Sequence, residues 1–213
     1  MKHIAVLSGG LDSTVTLARM KSEADPGDAL AAITFNYGQR HLCELRAAGR
    51  IAPELGVPLQ IADVRHLIGG RSSLLYHGDV PDGHYADESM KSTVVHARNM
   101  LFASIAVSMA GEGGAVWLGV HGGDHHIYPD CRPTFWEPFS EAVRAAYAVE
   151  MRLPYLYADK TKIVREGAAL GAPLGDTWSC YKGGQLHCGT CGTCVERKEA
   201  FEMAGVSDPT RYA

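Results

Sequence analysis

The chain has 213 residues, 46% of them hydrophobic and 21% charged, which suits one ordinary globular domain and excludes a disordered or fibrous chain. Its formal charge of -4, from 20 basic and 24 acidic residues, supplies no field that would gather duplex DNA or bulk RNA, although local basic clusters can still hold a small anion. The opening MKHIAVLSGG has an apolar run of four residues before its glycines, too short for a signal peptide or a membrane span, so a cytoplasmic protein with no membrane partner is expected.

In chain order, Ile4 to Leu7, Ala29 to Phe35, Pro58 to Val64 and Ala115 to Val120 are continuous apolar runs that suit strands buried on both faces. Between them Asp12 to Met20, Arg40 to Leu55 and Arg98 to Ala110 have helical spacing. Phe135 to Glu150 reads as a further helix, Leu153 to Ala158 as a fifth strand, and Lys160 to Leu170 as a helix stopped by Gly171 and Pro173. This alternation predicts an α/β fold, a Rossmann-like doubly wound parallel sheet, over residues 1–174. Residues 175–213 read as a small C-terminal zinc-binding segment packed on the same domain. Residues 65–95, with Gly69, Gly70, Gly78, Pro81 and Gly83, break the rhythm and read as a long functional loop or lid.

Directly after the first strand stands SGGLDS, Ser8 to Ser13. In a strand-turn-helix context Gly9 and Gly10 let the backbone approach an anion, while Ser8, Ser13 and the first helical amides can donate to it. No Lys precedes the Ser, so this is not a Walker A loop; a plain glycine turn with Asp12 as helix cap is the competing reading.

At the other end SCYKGGQLHCGTCGTC carries Cys180, Cys188, Cys191 and Cys194. Without an export signal, clustered thiols are expected to bind metal rather than pair as disulfides. Four thiolates make a closed tetrahedral set for one structural Zn²⁺, leaving no position for water or substrate, with His187 the local competitor as ligand. Disulfides or an iron-sulfur cluster are the alternatives.

SGG-x-DS after a first strand resembles the PP-loop signature of the N-type ATP pyrophosphatases, which split ATP between the α and β phosphates. FNYGQRH at 35–41, GVHGGDHHIYPDCRPTF at 119–135 and WSCYKGGQLHCGTCGTC at 178–194 then resemble the 7-cyano-7-deazaguanine synthase family over nearly the whole chain. The family usually reads V-P-G-R-N where this chain has Val95-His96-Ala97-Arg98-Asn99, so the loop loses a residue that fixes φ and one that permits positive φ.

The resemblance implies an adenine nucleotide alpha-hydrolase-like fold and an ATP-dependent ligase, acting as a homodimer. Its partners would be ATP with Mg²⁺, ammonia and 7-carboxy-7-deazaguanine, and its product 7-cyano-7-deazaguanine. It implies that Leu7, Ser8, Gly9, Gly10, Leu11, Asp12, Ser13 and Lys160 bind ATP, with Asp12, Arg98 and Lys160 catalytic. Tyr37, Gln39, Arg40, His41, Arg98, Asn99, Asp124 and Asp130 would form the substrate pocket. A deazaguanine presents an N1–H and a 2-amino group side by side, which one carboxylate satisfies; Asp124 is preferred for this and Asp130 is the alternative. His121, His125 and His126 invite a metal reading that the resemblance makes unnecessary. Two other readings stand beside this one. A relative that adenylates a deazaguanine or another acid for attachment to a macromolecule is suggested by VHARN. A non-enzymatic zinc-ribbon module would want a basic chain and leaves SGGLDS unexplained.

Overall fold

Five parallel strands pair in the order β3-β2-β1-β4-β5: β1 (Lys2–Val6), β2 (Ala29–Asn36), β3 (Leu59–Asp63), β4 (Ala115–Trp117) and β5 (Glu150–Arg152). The computed structural model describes residues 1–70, 72–75 and 79–213, and the side chain of Asp124 lies outside the described residues. The chain moves outward from β1 to β3, then returns to the other side of β1, so its direction reverses between β1 and β4. That reversal opens a crevice at the carboxyl ends of these two strands.

Strand periodicity divides the sheet's side chains between two cores. Ile4, Ile33, Phe35 and Val116 face Phe102, Ala103 and Val107 of α3 (Arg98–Ala110). Ala5, Leu7, Ala32 and Trp117 face α1 (Leu11–Glu23) and α2 (Cys43–Glu54) through Leu17, Met20, Ala48 and Ile51. The larger of these side chains, such as Ile4, Ile33, Leu17 and Met20, stabilise by roughly 1.5–3 kcal/mol each when fully buried. Because both faces are covered, the interior strands read as the unbroken apolar runs seen in the sequence.

Two strand expectations need correction. Pro58 to Val64 was expected to be buried on both faces, but β3 is an edge strand with Ile61 65% exposed. The fifth strand is Glu150–Arg152, paired in register with Ala115–Trp117, and not Leu153 to Ala158. Pro154 has no amide to give a ladder. The chain turns there instead, through Leu156 N–H to Leu153 O at 3.2 Å and Ala158 N–H to Tyr155 O at 2.8 Å, burying Tyr155.

After α4 (Pro133–Tyr147) and α5 (Lys160–Ala169) comes α6 (Gly192–Ala204), a helix the sequence reading did not separate from the cysteine segment. Its N-cap is Cys191 and it ends at Gly205 in the left-handed region, φ 70°. Ala200 and Phe201 of α6 pack with Val15 of α1 and Ile163 of α5, so α6 is fixed by the body of the domain. Arg197 is 0% exposed, with its guanidinium donating to Thr177 Oγ1 at 2.7 Å, Leu174 O at 3.0 Å and Asp208 Oδ1 at 3.1 Å. The described part of the 65–95 segment includes a 3-10 turn at Glu88–Thr93 and lies against the cysteine loop, where Asp82 accepts from Lys182 at 2.5 Å and Thr190 at 2.7 Å. Among the described residues no helix is long and apolar enough to cross a membrane.

Candidate active site and metal centre

A cleft at the carboxyl edge of β1 and β4 gathers Ser8, Asp12, Ser13, Arg98, Lys160 and Glu196, with Ser179, Tyr181 and Thr193 of the cysteine segment also on its wall. Ser8 Oγ lies 2.9 Å from Ser13 Oγ and accepts from Gly10 N–H at 3.1 Å, while Ser8 N–H donates to Ser13 Oγ at 3.1 Å. The turn is therefore organised before any ligand arrives. Gly10 is the N-cap of α1 and Asp12 sits in its first turn, which rules out Asp12 as the cap. Ser8, Gly10, Leu11, Asp12 and Ser13 line the cleft, whereas Leu7 is buried in the core beneath it. Gly9, at φ +91°, is glycine for a different reason than anion approach: a Cβ there would stand 2.2 Å from Glu44 O. Gly119 is equally constrained, because its Cβ would meet Asp12 O at 2.8 Å, and this holds the end of β4 tightly against the start of α1.

Lys160 opens α5 beyond its N-cap Asp159, and its Nζ stands 2.5 Å from Glu196 Oε2 and 3.5 Å from Asp12 Oδ2. His121, fully buried, accepts from Gly123 N–H at Nδ1, which puts the proton of the neutral ring on Nε2. That nitrogen faces Asp12 Oδ2 at 3.8 Å and Glu196 Oε1 at 4.0 Å. One ammonium, one imidazole and two carboxylates from four separate segments thus meet at the helix N-terminus. Sequence reasoning found Asp12 and Lys160 but missed Glu196 and gave His121 no role here. The available signal was Thr193 and Glu196 at i,i+3, both facing the cleft from the helix that starts in the cysteines.

The other end of the cleft is aromatic. Arg98 Nη1 donates to Tyr37 Oη at 3.3 Å, with the guanidinium carbon 5.5 Å from that ring's centroid. Burial pushes the Tyr37 hydroxyl up to about 12, so it stays protonated at neutral pH. Phe102 stacks on Phe35 at 4.0 Å, and His41 lies 5.4 Å from the Tyr181 ring. Tyr37, His41, Arg98 and Asn99 line the cleft as the sequence reading expected. Three expected pocket residues do not. Gln39 is engaged with the turn itself, donating to Phe35 O at 3.0 Å and accepting from Tyr37 N–H at 2.9 Å. Arg40 is exposed and off the lining. Asp130 accepts from Asn99 N–H at 3.2 Å and so serves the first turn of α3 instead of the cleft. The preferred edge reader, Asp124, has its side chain outside the described residues.

Ala97, where the family usually has glycine, sits at φ 54° and ψ 16°, the left-handed region, as N-cap of α3. The backbone needed by Arg98 is thus kept by a residue for which that conformation is strained.

Cys180, Cys188, Cys191 and Cys194 place their sulfurs within 4.8 Å of one another, a group fit to hold a metal ion. Amides of Thr190 and Cys191 reach Cys188 Sγ at 3.5 and 3.3 Å, and that of Cys188 reaches Cys180 Sγ at 3.4 Å. Hydrogen bonds from Cys180 and Cys194 hold the Cys191 thiol well below its usual range, whereas contact with Cys180 and Cys191 pushes Cys194 far up. Four such thiols cannot all ionise without a cation among them. His187 is not among them: its Nε2 accepts from Ser179 N–H at 3.0 Å, and burial lowers its pKa to about 4.

A family model described as queuosine biosynthesis protein QueC matches residues 2–205. The chain belongs to the QueC family. Relatives named 7-cyano-7-deazaguanine synthase include one from Rhizobium etli, 49% identical over 221 residues, spanning 100% of this chain and 92% of its own. One from Brucella anthropi is 50% identical over 220 residues, spanning 100% of this chain and 94% of its own. Among solved structures, the U34-tRNA thiolase NcsA from Methanococcus maripaludis with its 4Fe-4S cluster has a TM-score of 0.53 at 14% identity. The likeness covers 95% of this chain and 65% of that one, and at such identity it speaks for the fold alone.

Proposed function

We propose that the protein is a 7-cyano-7-deazaguanine synthase, joining ammonia to 7-carboxy-7-deazaguanine at the expense of ATP. Relatives of that name match along its entire length, which favours this reading over a zinc-ribbon module or a macromolecule-modifying relative. The geometric observation that carries it is the meeting of the Ser8–Ser13 turn, Asp12 and Lys160 at the switch point, with an aromatic, Arg98-bearing compartment opening from the same cleft.

Adenylation accounts for both halves of the reaction. A carboxylate oxygen attacks the α-phosphorus and pyrophosphate leaves; ammonia then attacks the acyl carbon, and AMP departs with that oxygen. The resulting amide oxygen attacks the α-phosphorus of a second ATP, pyrophosphate leaves again, and the nitrogen gives up both its protons as AMP departs with that oxygen, which yields the nitrile. Both carboxylate oxygens end in AMP, one in each. The α1 N-terminus, Ser8 and Ser13 would receive the phosphates, and Lys160 would offset charge on the departing pyrophosphate. Arg98 would hold the substrate carboxylate, with Asn99 beside it.

Asp12 Oδ1 is buried with no hydrogen-bond partner, which suits Mg²⁺ arriving with ATP. When bound, that ion supplies positive charge to the phosphate oxygens. The four cysteines would hold Zn²⁺, and a closed set of four protein ligands makes its role structural. Residues 175–213 then belong to the same domain as residues 1–174, the zinc segment bracing the cleft through α6. The reading takes the enzyme as a cytoplasmic homodimer, a setting that keeps thiols reduced for a metal.

The test is direct. Purified protein incubated with ATP, ammonium and 7-carboxy-7-deazaguanine is expected to release AMP and the nitrile. Absence of both products contradicts the proposal, and AMP without nitrile favours the macromolecule-modifying relative.

A further inference from the structure

Within that reading, on which this inference rests, one of the two expected readers of the aminopyrimidinone edge, Asp130, is engaged elsewhere, and the side chain of the other, Asp124, lies outside the described residues. Asp130 faces Asn99 N–H. Three other carboxylates line the cleft among the described residues: Asp12, Glu44 and Glu196. Asp12 and Glu196 stand 3.5 and 2.5 Å from the Lys160 ammonium, at the phosphate end. Glu44 is left, in the first turn of α2, three residues after His41.

Glu44 is 9% exposed and lines the same compartment as Tyr37, Phe102, Arg98 and Tyr181. Its Oε2 stands 3.2 Å from Nε2 of His41, a ring 1% exposed whose two nitrogens both lack a properly formed hydrogen bond. A surface acid in a first helical turn needs no further explanation, since the helix dipole favours it. A largely buried carboxylate that lines a cleft together with aromatic residues and an imidazole lacking a proper hydrogen bond is different, because burying its charge is costly unless it is paired. Two coplanar donors from a ligand would satisfy both oxygens at once, and the neighbouring rings offer the flat surfaces a fused heterocycle requires.

We propose that Glu44 is the specificity-determining residue that accepts the N1–H and 2-amino hydrogens of the deazaguanine, with His41 as its positioning partner. Glu44 touches the substrate and takes no part in bond making.

The experiment compares 7-carboxy-7-deazaguanine with its analogue lacking the 2-amino group, measuring KM and kcat for AMP release by wild type, Glu44→Gln and Asp124→Asn. Wild type is expected to favour the amino-bearing acid in kcat/KM by roughly 10- to 100-fold, the range of a good bidentate pair. Glu44→Gln has one acceptor and one donor where two acceptors are needed. It is expected to raise KM for the natural acid by a similar factor and to bring discrimination close to unity, with KM for ATP unchanged. Thermal melting checks its fold. Should Gln not fold, Glu44→Asp keeps the charge with a shorter reach, and an elevated KM for the acid with ATP KM unchanged is the expected result. A folded Glu44 variant with wild-type KM and wild-type discrimination overturns the inference, as does loss of discrimination in Asp124→Asn with none in Glu44→Gln. Wild type that turns over neither acid fails at the level of the proposed function, and so is told apart from a failure of Glu44.

Discussion

The first two turns of α6, which carry Cys194 and Glu196, serve two clusters of ionisable groups that solve opposite electrostatic problems. At the cysteine knot four sulfurs lie within 4.8 Å, in contact with one another and with backbone amides. In the cleft, Asp12 and Glu196 lie beside the Lys160 ammonium and the His121 ring. The knot needs a cation to exist as four thiolates and then has no further valence to offer. The cleft sets the Lys160 ammonium against Asp12 and Glu196 without a ligand and stays open, so an incoming triphosphate must rearrange its charges. The difference teaches that a dense ligand set can be remote from catalysis, whereas a looser group with built-in counter-charges is where substrate charge can be exchanged.

The largest effect expected from breaking this comparison is at the knot. Cys191→Ser should release one metal ion per chain and lower Tm by roughly 15 °C or more, since structural metal binding is folding free energy and about 1 kcal/mol corresponds to ~2–4 °C in a chain of this size. Elemental analysis and a melting curve check it; metal retained with an unchanged Tm contradicts it. Next comes Arg197→Met, which leaves Asp208 without its buried partner and should cost about 3–5 kcal/mol in urea unfolding, with the metal still bound.

At the phosphate end, Lys160→Met should leave metal content unchanged and slow AMP formation by about 10²–10³-fold, the usual loss for one charge-stabilising donor. Glu196→Gln sharpens the boundary between the two clusters, because the residue sits on the knot's helix but contacts the cleft's lysine. It should slow AMP formation by about tenfold while metal content stays at wild type, as expected for a group acting through another. The smallest effect is Ala97→Gly, which relieves a left-handed alanine and should raise stability by about 1 kcal/mol with Arg98 undisturbed.

What the sequence discloses follows the range of the interactions. The knot is legible because its ligands lie within fifteen residues and their spacing alone brings them together. β1, the SGGLDS turn and α1 are legible because apolar run, glycine turn and helix follow directly on one another. Leu153 to Ala158 misleads because a buried turn and a buried strand share an apolar composition, and Pro154 is the residue that separates them. Glu196 is illegible because its meaning depends on α6 packing against α1 and α5, which carries it to Lys160 across 36 residues of chain. Gly9 matched a phosphate-binding pattern for a reason the pattern does not contain, the close approach of α2. Gln39 and Arg40 show the reverse: motif residues whose job is the turn, or whose place is the surface.

The claim that the Ser8–Ser13 turn presents ATP for attack at its α-phosphorus, rather than at the γ-phosphorus, is tested most directly by isotope transfer. With both oxygens of the substrate carboxylate labelled with oxygen-18 and ammonium in excess, mass spectrometry of the products should find the label in AMP, one atom in each of the two released. Label in inorganic phosphate, or in water with ADP as the nucleotide product, would contradict the account.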